Sequence, residues 1–149
     1  MKLKNYINLF DCRRKPINTM GRQNLNKIYP YYGAQGIVDY VDDYLFDGEY
    51  ILLAEDGNNL ITKSEPLATW ASGKFWVNNH AHIFQTKDSM NQKYLFYWLN
   101  HTNLDGYITG SAQPKLNQEN LLAIEIEPHD LVTQQHIVNT TSSLLLKSL

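Results

Sequence analysis

The sequence predicts a single α+β domain in which a curved, mixed or antiparallel β-sheet carries a few packed helices and a further helix ends the chain. Three observations predict it. Short β-branched and aromatic runs at residues 37–41 and 50–54 stand between glycine turns, the pattern of strands rather than helices. Residues 90–101 carry an amphipathic stripe at helical spacing behind a capping box. Residues 131–149 lack Gly and Pro and repeat apolar side chains every seven positions. A length of 149 residues suits one domain with a sizeable core.

In chain order, Leu3, Tyr6, Ile7, Leu9 and Phe10 make a short amphipathic element of either type. Residues 11–30 have no clean period and are rich in Arg, Lys, Asn and Pro, and long ordered connections of this kind tend to be functional. Gly33 and Gly36 then stand beside Tyr31 and Tyr32 and precede the first strand. Asp47-Gly48 is a turn signal, so residues 37–54 read as a hairpin whose second strand, the continuous apolar run 50–54, is buried. Leu60-Ile61-Thr62, residues 67–71 and residues 74–85 read as further strand material.

Ser89 is the expected N-cap of the central helix, with Gln92 three residues on. Tyr94, Leu95, Trp98 and Leu99 form the stripe that packs on the sheet, which makes these aromatics core rather than a stacking platform. Residues 106–120 form a second polar, glycine-punctuated loop in which Pro114 stands between Gln113 and Lys115. Residues 123–127 alternate and end at Pro128, as a half-buried strand does. Leu131, Val138 and Leu145, with Ile137 and Leu144 beside them, give the last helix a seam suited to another helix.

Composition is that of an ordinary soluble protein, 43% hydrophobic and 19% charged. No apolar run reaches the length of a membrane span and no signal-peptide pattern follows Met1, so a cytoplasmic protein with no membrane association is expected. The single cysteine, Cys12, excludes an internal disulfide and reads as an inert thiol. The net charge of -2 hides segregation: residues 1–30 sum to +6, 31–66 to -7, 67–118 to +2 and 119–149 to -3. If the first and third segments share one side, that side is positive, as contact with a nucleic-acid backbone requires. The competing expectation is that the opposite signs pair across the surface.

Nothing in the chain assembles a reaction centre. Asp42-Asp43 and Glu55-Asp56 are sequence neighbours, which point to opposite faces of a strand and do not share a proton. There is no cofactor-binding glycine loop, nucleophile elbow, phosphate-binding loop or Asn-Pro-Pro-Tyr tetrapeptide. In an extended chain His80 and His82 share a face, but no third ligand lies at motif spacing, so neither metal nor cofactor is expected.

What remains is a binding surface. Asn and Gln make up 23 residues, and their amides suit adenine edges as Arg and Lys suit guanine and phosphate. The candidates for DNA contact are Arg13, Arg14, Lys15 and Arg22, then Gln35, then Lys74, Asn78, Asn79 and His80, then Gln113 and Lys115. For each one alone the plainer reading is a solvated loop residue, and residues 78–80 read as either a hydrogen-bonded turn or a base-reading edge. A carbohydrate-binding or other β-rich interaction module would use the same tyrosines and asparagines.

Residues 31–36 (YYGAQG), 46–50 (FDGEY) and 54–57 (AEDG), followed by 73–82 (GKFWVNNHAH) and 110–116 (GSAQPKL), occur in an order that resembles the target recognition domain of type I restriction-modification specificity subunits. The likeness runs from about residue 5 to residue 135. It implies a non-catalytic component that reads one half of a bipartite double-stranded DNA target by inserting loops into the major groove. It also implies partners: a methyltransferase (modification) subunit, which binds S-adenosylmethionine and carries the chemistry, and a restriction subunit with translocase and nuclease activity. On this reading residues 1–128 are the recognition domain and 129–149 begin a spacer helix. Through Leu131, Val138 and Leu145 that helix would meet a second recognition domain or a second copy. The chain departs from the full subunit in holding one domain and the start of the spacer. An antagonist that occupies the methyltransferase subunit in place of the full specificity subunit is the remaining alternative.

Overall fold

The computed structural model describes residues 1–148, and the side chains from 145 onward, Leu145 among them, lie outside the described residues. Six strands, β1 (Ile7–Leu9), β2 (Tyr29–Gly33), β3 (Gly36–Val41), β4 (Phe46–Ala54), β5 (Ala68–Val77) and β6 (Ala81–Thr86), form one sheet in the order β1-β6-β4-β5-β2-β3. Every neighbouring pair is antiparallel except β2 and β5, so the sheet is mixed. The helices are α1 (Thr19–Arg22), α2 (Asn59–Thr62), α3 (Gln92–His101), α4 (Gln118–Leu122) and α5 (Leu131–Ser148).

Register shows that the sheet is rolled. Phe46 lies opposite Phe75, so the end of β5 at Val77 falls beyond the start of β4, whereas β6 begins at Ala81 opposite Ala54, the end of β4. Those two places on β4 are about 30 Å apart at about 3.3 Å per residue. The link from Val77 to Ala81 reaches at most about 15 Å at 3.8 Å per Cα step. Only a sheet whose ends are brought together satisfies both. The bend has its glycines in register: Gly48 pairs with Gly73, with φ of 145° and 86°.

Rolling produces two apolar clusters. Inside the roll lie Phe46, Tyr50, Leu52, Phe75, Val77 and Ile83, with Phe46 stacked on Phe75 at 5.6 Å between ring centroids. On the outer face Ile51, Leu53 and Phe84 pack with Leu95 and Leu99 of α3, Leu121 of α4 and Val138 of α5. Alternate residues of β4 thus go to opposite clusters, which explains why 50–54 is apolar without alternation.

Several sequence expectations change. The hairpin expected over 37–54 does not form: β3 pairs with β2, and Asp47-Gly48 lies within β4, where the glycine bends a strand instead of ending one. Residues 60–62 are the helix α2, not a strand. The cap of α3 is Asn91, which accepts from the Tyr94 N–H at 3.1 Å, because Gln92 is drawn away to bridge the Thr86 N–H and the Glu49 carbonyl. Residues 123–127 do alternate in burial, with Ile124 and Ile126 inside, but the chain start offers only Lys2 as partner and one bridge to Glu125 results.

In α5 the seam is turned from its expected direction. Gln134, which accepts from the Asn91 N–H at 2.8 Å, and Val138, at 7% exposure, face the domain's own α3, and Tyr97 meets Ser142 at 3.2 Å. Val138 is therefore a core residue and not free for a partner, while Leu131, Val132 and Leu144 remain exposed.

Candidate nucleic-acid interface

The end of the rolled sheet where β4 finishes is built by Glu55, Asp56 and Gly57. The Glu55 N–H donates to the His80 carbonyl at 2.9 Å, its own carbonyl accepts from Leu116 N–H at 2.7 Å, and the Gly57 N–H donates to the Pro114 carbonyl at 3.2 Å. The segment after β4 is thereby clamped between residues 78–80 and the loop carrying Gln113 and Lys115. On the far side of 78–80 the Asn78 N–H donates to the Tyr32 carbonyl at 3.0 Å and the Lys15 N–H to the Val77 carbonyl at 3.2 Å. Five segments distant in sequence meet at one place.

Three open clefts run across this surface and share walls. One of about 400 Å³ lies between Asp56-Gly57-Asn58 and Gln113-Pro114-Lys115. A second, about 360 Å³, takes in Asp56 and Gly57 again with Gln35, Val38, Asn78 and His80. A third, about 570 Å³, continues from Asn78, Asn79 and His80 to Asn18, Thr19 and Arg22. Gln35, Asn79, His80, Gln113, Lys115 and Lys15 are all exposed. The structure brings these together.

Other candidates are held by the protein itself. Asn78 is buried, and its Oδ1 accepts from the His80 N–H at 2.8 Å, so the corner is a hydrogen-bonded turn that presents Asn79 and His80. Arg14 is 14% exposed in its side chain and donates to the Ala81 carbonyl at 3.0 Å, to Glu55 at 3.2 Å and to the Asn79 carbonyl at 3.4 Å. Its expected place on phosphate is corrected accordingly: its donors face inward. Arg22 pairs with Asp39 at 2.6 Å and lies over the Tyr31 ring at 4.6 Å. Arg13 donates to the Leu45 carbonyl at 2.9 Å and covers the Phe46 ring, and Lys74 lies over Tyr44 at 5.0 Å, away from the clefts' lining.

Folding pairs part of the charge that is segregated along the chain. Asp39 receives Arg22 and Lys27, Glu55 receives Arg14, and Asp56 receives His80 at 2.9 Å. The N–H of Tyr40, together with Lys27 and Arg22, holds the Asp39 carboxyl below its usual range against partial burial. Lys15 and Lys115 remain as exposed cations without an ion pair among the described residues. The face is amide-rich rather than strongly positive.

Behind it lies a cluster the sequence did not reveal. His82 is fully buried, with Nδ1 2.6 Å from Asp11 Oδ2 and Nε2 2.6 Å from the Leu116 carbonyl. Burial pushes the Asp11 carboxyl up, but the hydrogen bond and charge of His82, the Ile83 N–H at 2.9 Å and the Arg14 charge hold it below its usual range. Both ring nitrogens of His82 face oxygen atoms, the Asp11 carboxyl on one side and the Leu116 carbonyl on the other. Asp11, Glu55 and His82 bring ligand atoms within 4.8 Å of one another. The Arg14 guanidinium stands among them, 3.2 Å from Glu55 and 3.7 Å from Asp11, and supplies the positive charge that a metal ion would. Sequence alternation placed His82 beside His80. The turn at 78–80 breaks that phase and sends one ring to the surface and the other to the core.

Residues 1–147 match the family model described as type I restriction modification DNA specificity domain. The chain is 35% identical over 142 residues to a protein of Haemophilus influenzae named as a type I restriction enzyme specificity subunit, a match covering 95% of this chain and 36% of that one. It is 31% identical over 99 residues to the type I restriction enzyme EcoprrI specificity subunit of Escherichia coli, covering 66% of this chain and 23% of that one. The chain thus spans about a third or less of the length of these relatives. Among solved structures, the type I restriction-modification S subunit from M. genitalium superposes with a TM-score of 0.76 at 15% identity, covering 96% of this chain and 37% of that one. The HsdS subunit from Thermoanaerobacter tengcongensis does so at 0.57 and 12% identity, covering 99% and 37%. At such identities the likeness is one of fold.

Proposed function

Since the chain belongs to the type I restriction modification DNA specificity domain family, we propose that it reads one half of a bipartite double-stranded DNA target and has no catalytic activity of its own. The observation that carries this reading is the contiguity of Gln35, Asn79, His80, Gln113 and Lys115 across clefts that share walls at one end of the sheet. Exposed amides on short turns give bidentate donor and acceptor pairs for adenine, and Lys15 and Lys115 give phosphate contacts at the margins. His80, oriented through Nδ1 by Asp56, presents its Nε2 edge outward.

Partner assignments follow the same family logic: a methyltransferase subunit that holds S-adenosylmethionine, and a restriction subunit. The exposed Leu131, Val132 and Leu144 of α5 are the apolar surface available for a helix from a second recognition domain or a second copy. Among the described residues no helix is long and apolar enough to cross a membrane.

Selection of this chain against a random duplex library tests the reading. An enriched half-site, bound with an affinity that falls as salt rises, is the expected result. No enrichment at any salt concentration contradicts it. Co-purification with a methyltransferase subunit, followed by mapping of methylated genomic sites, tests the partner assignment.

A further inference from the structure

The buried cluster behind the face touches the basic amino-terminal loop, the 78–80 corner, the end of β4 and the loop before α4. Asp11 closes the turn at residues 11–13 from which the first basic loop departs, and accepts from the Ile83 N–H of β6. Arg14, on the same loop, donates to the Asn79 carbonyl within the 78–80 corner and to the Ala81 carbonyl just after it. Glu55 accepts from the same Arg14 Nη1, and its backbone holds His80 and Leu116. His82 donates to the Leu116 carbonyl, two residues after Pro114. Gln118, at the start of α4, reaches Asp11 from the far end of that loop at 3.4 Å. Arg14, Asp11, Glu55 and His82 meet here with little or no exposure of their side chains.

We infer that His82, Asp11, Arg14 and Glu55 form a positioning clamp that sets the loops of residues 14–22, 78–80 and 113–116 at fixed separations, and that base discrimination depends on it. These are positioning residues and touch no base. The reason is geometric: a bidentate amide contact tolerates little displacement, and three such loops must fit one duplex at once. Backbone bonds join these loops to one another, and directed bonds to a common centre set their spacing as a group. Apolar packing at this centre would hold the sheet closed but would leave the loops free to slide. The Arg14 fork and the two-ended imidazole instead fix the angles as well as the distances.

The inference rests on the DNA reading for its consequence but not for its mechanics, and two measurements on the full chain separate them. Amide hydrogen exchange is compared between the wild type, Arg14→Lys and Asp11→Asn. Exchange at 14–22, 78–80 and 113–116 is expected to rise together, by about tenfold more than at the β4–β5 core amides of Ile51 and Trp70. Taking the ratio to the core keeps the result decisive where a variant also loses overall stability. Acceleration confined to the substituted segment, or equal throughout the sheet, overturns the clamp. The same proteins are then selected against the random duplex library. Flattened preference at several base positions with an unchanged salt slope is expected, whereas a variant that binds more weakly with its preference intact overturns the inference. A wild type that enriches no duplex removes the DNA reading, and the exchange result still decides the clamp.

Discussion

Arg14 Nη1 lies 3.4 Å from the carbonyl oxygen of Asn79, across 65 positions of sequence. That contact ties the basic amino-terminal loop to the sharp corner between β5 and β6, and the corner is in turn tied through Glu55 to the loop of Gln113. The surface on which recognition is proposed is therefore one surface. Its individual loops carry little regular structure, and each is placed by bonds to the others.

Asn79→Ala and Gln113→Ala each remove an exposed amide and leave the backbone bonds at their positions intact. Each is expected to relax preference at its own base position by about 1 to 3 kcal/mol while thermal stability stays unchanged. Selection from a random duplex library with each variant reads the result.

Gly110→Ala acts on the same loop by another route. Gly110 has φ of 81°, and a Cβ there would stand 2.5 Å from the Gln113 carbonyl oxygen, so backbone must move. The expected outcome is a change in the base position read by Gln113 with a modest fall in melting temperature, since residues 110–115 lie outside both apolar clusters. The two are measured by duplex selection and by thermal unfolding.

Of the basic side chains around the face, Arg14 and Arg22 are already paired, which makes the salt dependence of binding shallow. Lys15→Ala and Lys115→Ala are each expected to lower the slope of log affinity against log salt by about one unit, uniformly across sequences. Arg22→Ala, which removes the Asp39 pair and the contact with Tyr31, is expected to reduce stability and leave the slope unchanged. Titration at several salt concentrations separates the two classes.

The Asp11 carboxyl is held below its ordinary value of 3.8 in the folded chain. Its contribution to stability is therefore complete above that unfolded value and is lost as pH falls through the lowered folded value. Asp11→Asn is expected to cost on the order of 3 kcal/mol at pH 7, because it leaves His82 and Arg14 without their buried partner. Urea unfolding of both proteins from pH 7 down to pH 2 should show the difference shrinking below about pH 4.

Much of this architecture was legible in the chain. The continuous apolar run 50–54 marks a strand buried on both faces, and the stripe at Tyr94, Leu95 and Leu99 marks the helix that covers it. Pairing partners were not legible, because Asp47-Gly48 looks the same in a turn as in a bent strand and only the position of Gly73 opposite distinguishes them. At the site, residue types announced exposed amides on loops. They could not announce which cations would meet Asp39 and Glu55, since those pairs join segments 17 and 41 residues apart. Nor could alternation place His82, because the turn that reverses its phase is set by a side-chain bond from Asn78.

The central claim is that one duplex meets loops from three parts of the chain together, and backbone amide chemical shifts of the labelled protein test it most directly when its selected duplex is added. Residues 15–22, 78–80 and 112–115 are expected to shift at a common midpoint while β1 and α5 stay still. Shifts confined to one of these loops, or centred on the exposed face of α5, would contradict the account.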